Sequence, residues 1–171
     1  MKRHGGFTIV ELVTAIVLLG VVAAIGLPRL MGSGGTGALV FGDQVSSALR
    51  HAHKTAVARR RLVCATLAGN AVTLRIRQQA GMPAAGAAPC TLAADPAGTG
   101  YDITGSGSGI VSGRGGFADA ASIALYFHPD GTVSKDVAGM APVARSDEIR
   151  IMEAGAVRRT IRIEGSTGHV R

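Results

Sequence analysis

Gly6-Phe7-Thr8-Ile9-Val10-Glu11-Leu12 sets a carboxylate near the start of an apolar run that extends over residues 7–27. A helix of that length reaches about 30 Å, the hydrocarbon thickness of a bilayer. Val, Ile, Leu and Ala dominate the run, and Pro28 is expected to end it. Lys2 and Arg3 precede it, so the N-terminal end is expected on the cytoplasmic side and the bulk of the chain across the membrane. A carboxylate inside a lipid-facing helix is costly, so Glu11 calls for a partner or a task.

Two plainer readings compete. A cleavable secretory signal has a basic head and an apolar body, and Val22-Ala23-Ala24 offers small residues for a cut. Against it stand the length of the run, its internal carboxylate, and Gly5-Gly6 placed before the run. A plain membrane anchor requires neither Gly6 nor Glu11.

The same residues resemble the cleavage and methylation motif of type IV pilins and type II secretion pseudopilins. Gly6 stands just before Phe7, Glu11 is the fifth residue counted from Phe7, and Pro28 falls where those proteins often carry a proline. The resemblance implies that a prepilin peptidase cuts between Gly6 and Phe7 and N-methylates Phe7. It also implies an assembly role for Glu11. Its negative charge would meet the new Phe7 amine of a neighbouring subunit, compensating both charges and setting the stagger between subunits.

The 171 residues suit an anchor plus one modest domain. Aromatics make up 4% and Trp is absent, so an aliphatic and Ala core is expected. Net charge is +7; taking Lys2 and Arg3 from the 18 basic residues leaves 16 against 11 acidic, or +5. A basic exported domain suits DNA, acidic headgroups or an acidic partner, or simply carries an Arg-rich soluble surface. Cys64 and Cys90 are a disulfide candidate in an oxidising compartment; two reduced, buried thiols are the alternative.

Residues 28–37 read as a Gly-rich joint. Gly32-x-Gly34-x-x-Gly37 formally matches a dinucleotide fingerprint, but it lacks the strand before it and the acidic residue about 20 positions on. Helix is expected over 38–61, where Phe41, Val45, Ala48, Leu49, Ala52 and Ala56 form one apolar stripe. His51 and His53 stand two apart, on different helix faces, and read as solvated. Arg59-Arg60-Arg61 complements the helix dipole.

Beyond residue 61 the period changes to two. Strands are expected over 62–67 and 72–77 around Gly69-Asn70, a short one at 101–104, and another at 122–127 before the Asp130-Gly131 turn. A last hairpin is expected from 148–152 and 158–164 around Gly155. Residues 80–100 and 105–116 read as loops. The expected fold class is α+β: a long N-terminal helix, half membrane-spanning and half amphipathic, packed on an antiparallel β domain in a pilin-like arrangement. The division is leader 1–6, membrane and assembly helix 7–27, joint 28–37 and a periplasmic domain 38–171, with helix over 38–61 and β-rich 62–171.

Arg61-Leu62-Val63-Cys64, Phe127-His128-Pro129-Asp130-Gly131, Ile161-Arg162-Ile163 and the Gly168-to-Arg171 end resemble the GspH/FimT group of pseudopilins. That resemblance implies a structural subunit in the bacterial inner membrane, taken into a filament with other pseudopilins or pilins. One reading is a minor pseudopilin at or near the tip of a type II secretion pseudopilus that drives protein export. The other is a type IV pilus minor pilin of the FimT kind, binding DNA for uptake, with Arg158, Arg159, Arg162 and Arg171 as candidates. The DNA-binding kind resembles a Gly-Arg-x-Arg ending; here His169 takes the first Arg position. A neutral His adds little phosphate attraction. Motifs for acyl transfer, zinc hydrolysis and nucleotide binding are absent from the sequence. No catalytic residue, metal site or cofactor is expected, and an unrelated membrane-anchored enzyme is the least favoured reading.

Overall fold

The computed structural model describes residues 8–31, 36–80, 89–94, 102–105, 109–118 and 120–171, with side chains in the first segment described as far as Ala24. The chain divides into two compact units, Met1–Gly34 and Gly35–Arg171.

The described part of the first unit is one helix, α1 (Ile9–Met31). Thr8 caps it: the Glu11 N–H lies 3.3 Å from Thr8 Oγ1 and 3.1 Å from the Thr8 carbonyl. The Thr14 hydroxyl donates back to the Val10 and Glu11 carbonyls, each at 3.0 Å. The helix does not stop at Pro28 but runs on to Met31. A proline withdraws one N–H from the ladder, so the helix continues past it with one backbone hydrogen bond fewer. Gly6, Phe7 and residues 32–35 of the expected joint lie outside the described residues.

The second unit opens with α2 (Thr36–Arg59), so helix begins within the segment read as a joint. The expected apolar stripe is its buried face: Phe41, Val45, Ala48, Leu49, Ala52 and Ala56 are all in the core. The helix ends at Arg59 because Arg60 turns left-handed, at φ 50°.

β1 (Val63–Ala68) and β2 (Ala71–Ile76) form a hairpin around Gly69 and Asn70. β2 buries Val72, Leu74 and Ile76 and leaves Thr73 and Arg75 half-buried on the opposite face, as the alternation predicts. β3 (Leu92–Ala93) and β4 (Ile103–Thr104) both pair with β2. β6 (Ile123–Phe127) lies against β1, and β7 (Val133–Ser134) continues the sheet in the order β3-β2-β1-β6-β7.

A second sheet has the order β5-β8-β9, from β5 (Ile110–Arg114), β8 (Glu148–Glu153) and β9 (Ala156–Arg162). β5 corrects the loop expected over 105–116, and β3 the loop over 80–100. Gly and Ser suppress the local strand signal in β5, but pairing with β8 along Ile110↔Met152 to Arg114↔Glu148 outweighs that weak propensity.

α2 packs on both sheets and closes one aliphatic core with Leu67, Leu74, Leu125, Phe127, Ile149, Ile151 and Ile161. Where it crosses β9 the two backbones come close. A Cβ on Gly42 would lie 2.9 Å from Arg159 Cβ, so only glycine admits the Arg159 stem there. The Arg159 guanidinium then reaches Asp43 at 3.0 Å.

Candidate functional site

At the N-terminal end, Glu11 lies in the first turn of α1, with its side chain exposed. A carboxylate there meets the positive end of the helix dipole. Thr8-x-x-Glu11 also has the spacing of a capping box, and the Thr8 half of it is formed. The sequence reading passed over Thr8, although its spacing from Glu11 was the available signal. Among the described residues no helix is long and apolar enough to cross a membrane; of the expected span 7–27, Phe7 and the side chains of 25–27 lie outside them.

The two cysteines are joined. Cys64 in β1 and Cys90 just before β3 have Cα atoms 6.0 Å apart. The bridge ties the short β3 segment to β1 across the intervening β2.

The four arginine candidates do not form one patch. β9 bulges opposite Ile151 and Met152, which pair with Arg159 and Val157 and leave Arg158 as the extra residue. Arg158 reaches Glu153 at 3.2 Å, and Arg159 turns to Asp43 on α2. Arg162 donates to Glu148, its Nε at 3.0 Å from Oε1. Arg150 and Arg114 reach the other Glu148 oxygen, at 3.0 and 3.7 Å. The hydrogen bonds from Arg162 and then Arg150 hold the Glu148 carboxyl below the ordinary value of 4.5. The neighbouring Asp147 faces a different set of partners. Burial pushes its carboxyl up, but the N–H groups of Ala144 and Gly116, with Lys135, outweigh that and leave it below 3.8.

Arg162 and Arg171 do come together. Their backbones exchange hydrogen bonds of 2.9 and 3.0 Å, and Ile163 bridges to Val170. Between them the chain folds back as a tight hairpin: the Glu164 N–H donates to the His169 carbonyl at 2.9 Å and the Gly168 N–H to Glu164 at 2.7 Å. Gly168 takes φ +67° with the His53 ring against it, so neither the turn nor the space suits a side chain.

This hairpin separates two recesses. On one side Arg145, Arg162, Glu164 and Arg171 line a pocket of about 120 Å³. On the other, the hairpin and α2 enclose a cleft of about 420 Å³ beside Arg50, His53 and Lys54. His169 borders both. Arg50 and Lys54 are four apart on α2 and lie off its apolar stripe. That the chain end would fold against them is a tertiary fact with no local signal. His51 and His53 point to separate partners, Thr55 and the Gly131 carbonyl.

Residues 1–27 match the family described as the prokaryotic N-terminal methylation motif. Comparison with curated proteins gives no match. Among solved structures the chain is similar to the type IV minor pilin FimU of Pseudomonas aeruginosa strain PAO1 in two crystal forms, P65 and P21. Identity is 17% and the TM-score 0.47 for both, covering 78% of this chain and 90% and 85% of those chains. The chain thus combines a prokaryotic N-terminal methylation motif over residues 1–27 with a helix, α2, laid on antiparallel sheets.

Proposed function

We propose that the chain is a minor pseudopilin of a type II secretion system, a structural subunit at or near the tip of a periplasmic pseudopilus that drives protein export. The observation that carries this reading is the methylation motif over residues 1–27 with Glu11 exposed in the first turn of α1. Prepilin peptidase cuts between Gly6 and Phe7 and methylates Phe7. The apolar helix holds the subunit in the inner membrane until it enters the filament, with residues 38–171 in the periplasm. The Cys64–Cys90 bridge fits that oxidising compartment. Glu11 then compensates the Phe7 amine of a neighbouring subunit, and the protein's role is mechanical, not catalytic.

Processing and filament incorporation of Glu11→Ala test this. Normal cleavage with impaired incorporation is expected, whereas normal incorporation refutes the role of Glu11.

One observation favours the second reading, a FimT-kind pilin that captures DNA: Arg145, Arg162 and Arg171 share a pocket. Against it, Arg158, Arg159 and Arg162 each already face a carboxylate, which phosphates would have to displace. Titration of the full-length protein with duplex DNA at low salt discriminates. Binding that weakens in Arg171→Ala supports capture, and no binding removes it.

A further inference from the structure

We infer that the cleft between α2 and the C-terminal hairpin is a docking site for a carboxylate-bearing segment of a neighbouring subunit. The inference rests on the filament reading above and adds to it a surface and a partner chemistry.

Charge comes first. The charged side chains that line the cleft are basic, Arg50 and Lys54, with His53 and His169 beside them and no Asp or Glu. Arg50 is aimed by its own contacts: Nε and Nη2 donate to the Val170 carbonyl at 3.2 and 3.1 Å. The Lys54 ammonium makes no hydrogen bond or ion pair with the described residues, and Lys54 is exposed. Glu164 lines the neighbouring pocket, where it pairs with Arg145 at 3.3 Å, and its other oxygen accepts from Thr167 at the cleft rim, so it is not a partner of Lys54. Unneutralised positive charge is therefore concentrated on the α2 side.

Shape selects the occupant. About 420 Å³ accommodates one or two side chains. Its rings are the imidazoles of His53 and His169, with His53 engaged by the Gly131 carbonyl at 3.2 Å, and no Phe, Tyr or Trp lines it as a platform for a single-stranded base. A duplex presents phosphates over a broad face, which a recess of this size does not track. An Asp or Glu side chain matches the cleft in size and in charge.

The cleft is also held open. The bridge between Ile163 and Val170, the turn at Gly168 and the Arg50 clasp fix its hairpin wall before any partner arrives, so little ordering remains to be done on docking.

The test uses the full-length protein in detergent micelles, with a fluorescein-labelled hexaglutamate peptide and a labelled DNA duplex as separate probes. Peptide affinity should fall about tenfold in Lys54→Glu and change little in Arg145→Glu, on the far side of the hairpin. Lys54 is exposed, so circular dichroism should show the fold intact. Equal peptide affinity in wild type and Lys54→Glu overturns the proposal. Duplex binding with the same Lys54 dependence also overturns it, in favour of nucleic acid. In cells, Lys54→Glu should reduce incorporation into the filament, and unchanged incorporation overturns the assignment to a neighbouring subunit. Glu11→Ala reads the filament role independently, so a cleft that fails while Glu11 still matters leaves that role standing.

Discussion

The guanidinium of Arg50, midway along α2, grips the backbone carbonyl of Val170 with two hydrogen bonds of 3.2 and 3.1 Å. The contact joins the helix directly to the end of the chain. Arg50→Ala should lower stability by about 1–2 kcal/mol, the worth of charge-assisted bonds to one carbonyl. Amide exchange at Arg171 should accelerate more than exchange in β1. Uniform acceleration across both sheets would show that Arg50 acts on the whole domain and not on the hairpin.

Acid should weaken the fold in a predictable direction. The Glu148, Asp147 and Asp102 carboxyls all titrate below their ordinary values of 4.5 and 3.8, held there by arginine, backbone N–H and lysine donors. A folded value below the unfolded one contributes stability that is present above the unfolded value and is lost as pH falls through the folded one. The urea midpoint should be flat near neutrality and decline as pH drops below about 4.5. Glu148→Gln should lower the neutral midpoint, because Arg162, Arg150 and Arg114 lose their shared counter-charge, and should flatten the acid decline. A variant that keeps the wild-type acid profile would remove Glu148 from this account.

Gly168→Ala meets three obstacles, a left-handed φ of +67°, the His53 ring, and the Gly131 carbonyl oxygen, which its Cβ would approach to 2.8 Å. A loss of about 1–3 kcal/mol in unfolding free energy is expected. His53→Ala in the same chain should recover only the part due to the ring, leaving the Gly131 carbonyl contact and the backbone strain.

Replacing both Cys64 and Cys90 with serine opens a closure of 26 residues. The chain-entropy estimate is a loss of about 3–4 kcal/mol. Because β3 is only two residues long, exchange protection at Leu92 and Ala93 should go first. Protection that survives there in the reduced protein would show that pairing with β2 suffices.

Much of this fold was legible where a period was strong. The α2 stripe from Phe41 to Ala56 and the alternation of Val72, Leu74 and Ile76 named their buried faces outright, because each pattern matches the geometry of its element. β5 was not legible, since its Gly and Ser carry no strand preference and its partner β8 lies far along the chain. The start of α1 was read through Glu11, while Thr8, which caps it, went unread. The arginines of β9 looked equivalent in sequence. A bulge at Arg158 and the approach of α2 at Arg159 sent them to different partners, and neither event has a local signature.

Gly42 and Arg159 carry a consequence for how such a sequence drifts. The helix residue that admits the arginine stem is adjacent to Asp43, which holds the guanidinium, so two neighbouring positions on α2 are matched to a single position on β9. A methyl group at 42 is admissible only together with a slimmer residue at 159, and a slimmer residue at 159 leaves Asp43 without its counter-ion. Accepted changes there are therefore expected as linked pairs or triples, a correlated signature by which relatives of this chain can be sorted from chains that share only its apolar start.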